Sequence, residues 1–156
     1  MVQAPFLIVT HTTGWDRTAQ VISLAQICLD PYYRTIRGLM VLIEKDWMLH
    51  GHKFNDRFYT KGERSPIFLQ FLNCIQHIMQ QFPTEFEYNE SLLLDLWDAA
   101  VSGQYGTFLY NCQRERTAEN LALTTISVWT QINESVAKYH NIIDRKSTRL
   151  NSSHAN

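Results

Sequence analysis

The residues with the most chemistry in them sit together in Thr10-His11-Thr12-Thr13-Gly14-Trp15-Asp16-Arg17-Thr18. Arg17 carries a planar fork of N–H donors that matches two oxygens of a phosphate. Asp16 can carry and release a proton. His11 is a base, and a nucleophile only if a second group arranges it. The flanking segments suggest how these side chains are held. The apolar run at 6–9 reads as a short buried strand, Gly14 marks a tight turn, and Val21 to Leu29 form an apolar helical pattern whose first turn begins near Trp15 or Asp16. A strand, loop and helix N-terminus in that order make a cradle for anions, because backbone N–H groups and the helix dipole both favour negative charge there.

The loop resembles the phosphate loop of the myotubularin family, lipid phosphatases of the cysteine-dependent superfamily, which reads His-Cys-Ser-Asp-Gly-Trp-Asp-Arg-Thr. Gly14-Trp15-Asp16-Arg17-Thr18 match it residue by residue. Further matching segments are Tyr32-Tyr33-Arg34-Thr35-Ile36-Arg37-Gly38, Gly51-His52-Lys53-Phe54, Arg64-Ser65-Pro66-Ile67-Phe68-Leu69-Gln70-Phe71-Leu72 and Gly106-Thr107-Phe108-Leu109. The resemblance implies an α/β fold: part of a protein-tyrosine-phosphatase-like domain over residues 1–143, with one strand and the phosphate loop followed mostly by helices. It implies phosphate binding at Gly14, Trp15, Asp16, Arg17 and Thr18, with Asp16 at the general-acid position. A phosphoinositide headgroup is the implied ligand, without cofactor or metal. The implied location is cytoplasmic, peripheral to endosomal-type membranes.

The departure from the family is as informative as the match. His11 occupies the place of the nucleophilic Cys, and Thr13 replaces the first Asp of the loop. The chemistry needs a thiolate of lowered pKa to attack phosphorus. The same loop would favour the cationic form of imidazole, which has no lone pair to offer. Losing a nucleophile that acts as part of a unit costs about 10⁴ to 10⁶ in rate. The expectation is therefore a pseudophosphatase that binds phosphate and, as inactive members of the family do, serves an active paralogue as a regulatory adaptor. The alternative is an active phosphatidylinositol 3-phosphate phosphatase, and it requires Cys at position 11.

The chain of 156 residues has a formal charge of −1 and 45% hydrophobic content, which suits one folded domain. Residues 144–156 read as the translation of a sequencing-library adapter and are set apart as a disordered tail. They hold Arg145, Lys146, Arg149 and Asp144, net +2, so residues 1–143 carry −3. That balance gives no reason for nucleic-acid binding. The three cysteines, Cys28, Cys74 and Cys112, have no metal spacing and read as small buried hydrophobes. Cys28 and Arg34 repeat the phosphatase spacing only formally, since no Gly lies between them to turn the backbone inward.

Beyond Pro31 the periodicity predicts helices from 34 or 35 to about 49, from 66 to 82 behind Ser65, and from 90 to 102 between an Asn89 cap and Gly103. Shorter helices are expected over 114–121 and 127–134, and 52–63 reads as a loop. A single strand needs neighbours, so the helices are expected to present an uncovered sheet-facing side. Arg34, Arg37 and His52 either line an anionic pocket or are helix surface charge or structural ion pairs, Arg64 is either anion-facing or in a loop ion pair, and Glu44-Lys45-Asp46 reads as solvated charge.

Overall fold

The computed structural model describes residues 14–143, whose regular elements are helices. The expected strand at 6–9, His11, Thr13 and the tail at 144–156 lie outside the described residues. The helix after the loop, α1, spans Arg17–Leu29 with Asp16 as its N-cap residue. A 3-10 turn, Pro31–Arg34, leads into α2, Ile36–Ile43. Thr35 caps α2 through its hydroxyl, which accepts from Gly38 N at 2.9 Å. Glu87 Oε2 accepts from Ile36 N at 2.9 Å, so this carboxylate also satisfies a first-turn donor rather than standing in solvent.

The expected continuous helix to residue 49 is interrupted. Glu44–Leu49 forms a π-helical turn. Widening the turn lets Asp46, Trp47 and Met48 all face inward, where a regular helix would send one of three successive residues outward. Asp46 is consequently only 3% exposed, contrary to the expectation of solvated charge. Gln26 Nε2 donates to its Oδ2 at 2.5 Å.

Segment 52–63 is not simply a loop. It contains α3, Phe54–Phe58, because Phe54 is fully buried against Trp47 and Phe68. The longest helix, α4, spans Ile67–Gln81, with Pro66 rather than Ser65 at its cap position and no side-chain cap. The next, α5, spans Glu90–Ser102, capped by Asn89 and stopped by left-handed Gly103 as expected. The C-terminal part is made of short helices: α6, Gln113–Ala118; α7, Leu121–Thr124; α8, Val128–Glu134; and α9, Val136–Tyr139.

The core centres on Trp47, ringed by Phe54, Phe68, Phe71 and His52 with ring centroids 4.8–6.4 Å away. Its indole N–H donates to Ser23 Oγ at 3.0 Å, which ties the π-helical turn to α1. Helix α4 packs between α1 and α5, and α5 meets α9. An isolated antiparallel bridge pairs Tyr88 with His140 and fastens the end of the described chain to the segment before α5. Cys28 and Cys74 are exposed and Cys112 half-buried, which corrects the expectation of buried thiols. α1 buries the polar Gln20 and Ser23 beside Ala19 and Ile27, so its apolar pattern did not mark the buried face.

Candidate functional site

Gly14 begins the described chain with φ of +73°, a left-handed conformation. A Cβ there would meet nothing within 4 Å, so backbone freedom rather than space calls for glycine. Trp15 and Asp16 follow, and both are gripped from the π-turn side of the fold. The buried His52 ring has Nδ1 2.7 Å from Trp15 O and 3.2 Å from Asp16 Oδ1. Both neighbours are acceptors, so Nδ1 carries the hydrogen. Trp47 and Phe54 meet the ring edge-on at 4.9 and 4.7 Å, and Nε2 is buried with no partner.

Arg57, from α3, closes the other side of the Asp16 carboxylate. Its Nη2 lies 2.7 Å from Oδ2, and Nε lies 3.2 Å from both oxygens. The remaining Nη1 donates to Glu63 O and Oε2 at 2.9 and 3.1 Å. Burial raises the Asp16 pKa, but the His52 and Arg57 hydrogen bonds outweigh it and hold the carboxyl down at about 2. Asp16 at the general-acid position is therefore an ionised acceptor in this arrangement. It does not cap α1 either, and among the described residues no side chain caps the first-turn N–H groups of that helix.

Arg17 is exposed. Its Nη1 donates to the amide oxygens of Gln20 at 2.7 Å and Gln70 at 3.0 Å. Both partners are neutral, so among the described residues no carboxylate pairs with its charge at contact distance. Lys53 places Nζ 4.2 Å from the centre of the Trp15 ring and 3.8 Å from Asp56 Oδ2. Trp15 Nε1 and Thr18 Oγ1 are buried without hydrogen-bond partners, and both residues line a cavity of about 230 Å³ together with Gly14, Ile22, Asp46 and His50.

Of the residues weighed on sequence, Gly14, Trp15 and Asp16 lead directly into Arg17 and Thr18 in the first turn of α1, and His52 meets them through Trp15 O and Asp16. Arg34 does not. It pairs with Glu85 at 3.5 Å. Arg37 lines a separate groove of about 690 Å³ beside Met40, Lys45 and Trp129. Sequence reasoning missed Arg57 and Lys53. The available signal was a His-Lys-Arg set at 52, 53 and 57 whose last two members are four positions apart on one short helical stretch. Among the described residues, no group of three or more His, Cys, Asp or Glu could hold a metal ion, and no helix is long and apolar enough to cross a membrane.

Residues 2–117 match the family model of the myotubularin-like phosphatase domain. The chain is 45% identical over 141 residues to phosphatidylinositol-3,5-bisphosphate 3-phosphatase MTMR2 of Bos taurus, covering 86% of this chain and 22% of that protein. It is 46% identical over 155 residues to phosphatidylinositol-3,5-bisphosphate 3-phosphatase MTMR6 of Mus musculus, covering 96% and 25%. It is 46% identical over 141 residues to myotubularin of Xenopus laevis, covering 86% and 23%. The chain thus spans about a quarter of the length of these relatives. With most of its length matched by the domain model and close to half its residues shared with these phosphatases, the chain belongs to the myotubularin-like phosphatase family.

Proposed function

We propose that this chain binds a phosphoinositide headgroup at Gly14–Thr18 without hydrolysing it, and acts as a regulatory adaptor of an active relative at endosomal-type membranes in the cytoplasm. The observation that carries the reading is the state of Arg17. It is an exposed guanidinium at the start of a thirteen-residue helix; among the described residues its contacts are neutral amides and the N–H groups behind it have no side-chain cap. A phosphate monoester fits that combination of fork, dipole and free donors. Lys53 on the Trp15 ring adds a second cation at the rim. The relatives named as 3-phosphatases of phosphatidylinositol 3,5-bisphosphate make a phosphoinositide the natural source of that phosphate.

Two features support binding without turnover. His11 cannot form the thiophosphate on which the family's chemistry runs. Asp16, held ionised by Arg57 and His52, has no proton for a leaving inositol oxygen.

The experiment is sedimentation of the chain with vesicles containing phosphatidylinositol 3-phosphate, against plain phosphatidylcholine vesicles. Arg17→Ala should weaken lipid-specific binding by about tenfold or more, as expected for losing a bidentate charged contact. Unchanged binding would remove the loop as the ligand site. Release of inorganic phosphate from the same vesicles would overturn the reading of inactivity.

A further inference from the structure

A second site, independent of the loop, is indicated by Arg116. This residue of α6 is only 7% exposed, yet among the described residues no carboxylate lies within ion-pairing distance of it. Its Nε donates to Leu109 O at 2.9 Å and its Nη1 to Met48 O at 3.4 Å, while Nη2 has no acceptor. A buried cation with a donor unused is costly unless something anionic meets it. Burial pushes the guanidinium pKa down, and the negative charge of Glu44 is foremost among the groups that offset this.

Arg116 lines a cavity of about 730 Å³, within the usual size range of small-ligand sites. Hydroxyls of Thr107, Thr117, Ser127 and Thr130 share that wall, and Met48, Leu121 and Ile126 make an apolar stretch beside them. Glu44 also lines the cavity, its Oε1 accepting from Trp129 Nε1 at 2.5 Å. One guanidinium opposed by one carboxylate suits a single negative charge better than the double charge of a phosphate monoester. We propose that this cavity binds a small monocarboxylate on an apolar stem, the carboxylate on Arg116 and the stem against Met48, Leu121 and Ile126. Nη2 is buried, so engagement takes a rotation of the Arg116 side chain, which gives up first the longer bond to Met48 O.

The test is calorimetric titration of the complete chain at neutral pH with octanoate, and with octanol as the uncharged control. Octanoate should bind at one site per chain, at least about tenfold tighter than octanol, a difference of about 1.4 kcal/mol. Glu44→Gln keeps an acceptor for Trp129 and removes the opposing charge, so it should tighten octanoate by about threefold or more. Arg116→Met should abolish the octanoate preference. If that variant does not fold, Glu44→Gln and the octanol control still decide. The proposal is overturned if the folded chain binds no octanoate up to about 10 mM, a concentration that would reveal even very weak affinity. It is equally overturned if octanol binds as well, or if Glu44→Gln leaves octanoate affinity unchanged.

Discussion

Arg57 and Asp16, 41 positions apart, share a forked ion pair with Nη2 2.7 Å from Oδ2 and Nε 3.2 Å from both carboxylate oxygens. This contact joins the turn before α1 to α3, and His52 reinforces it from the core side at 3.2 Å. It decides what Asp16 can do chemically, since a carboxylate so held accepts hydrogen bonds and does not donate a proton.

Acid should expose this pair. The Asp16 carboxyl titrates at about 2 in the folded chain and near 3.8 when free. On acidification the unfolded chain takes up the proton first, so the stabilisation is fully present above about pH 4 and is lost as pH falls towards 2. With solvent screening allowed for, it amounts to about 1 kcal/mol. Urea unfolding between pH 2 and 6 should show a slope that is shallower in Asp16→Asn. Equal slopes would mean the pair contributes nothing.

His52→Phe keeps an aromatic ring against Trp47 and Phe54 but removes the donor to Trp15 O. Leaving that carbonyl unpartnered should cost about 1–3 kcal/mol. Hydrogen exchange should be faster for the amides at 15–20 than for those of α5. A uniform change across the chain would show that His52 acts on the core alone.

Gly38 sits under the preceding 3-10 turn, and a Cβ built there would lie 1.8 Å from Tyr32 O. The obstacle is backbone, so it cannot swing away. Gly38→Ala should destabilise by about 3 kcal/mol or more despite alanine's better helix propensity. A neutral or stabilising result in urea would mean that the turn and α2 separate easily.

Lys53→Gln removes the cation above Trp15 without touching the core. Binding to phosphatidylinositol 3-phosphate vesicles should weaken a few-fold, with the melting temperature nearly unchanged, because an exposed cation–π contact is worth only about 0.5–1 kcal/mol. A large fall in melting temperature would assign Lys53 a structural role instead.

Several helices were legible because their signals are local. The α4 face at Ile67, Phe68, Phe71, Leu72 and Ile75 follows the helical period, and all five are buried. Asn89 and Gly103 bracket α5 as a capping residue and a left-handed stop should. Asp46 was misread because the turn around it changes from α to π, and no short-range pattern marks that change. Phe82, the last residue of the helix expected over 66–82, is 55% exposed just beyond the end of α4.

Sequence alone determined the family and the two helices α4 and α5, since each rests on residue types at fixed spacing along the chain. Tertiary structure decided the electrostatics. Lys53, His52 and Arg57 reach Trp15 and Asp16 only because Phe54 is drawn under Trp47, and burial of that aromatic pair carries these side chains next to the loop. The same kind of long-range packing leaves Arg116 inside the fold with a donor unused. Charges acquire partners through where the core forms, and that depends on contacts dozens of residues apart.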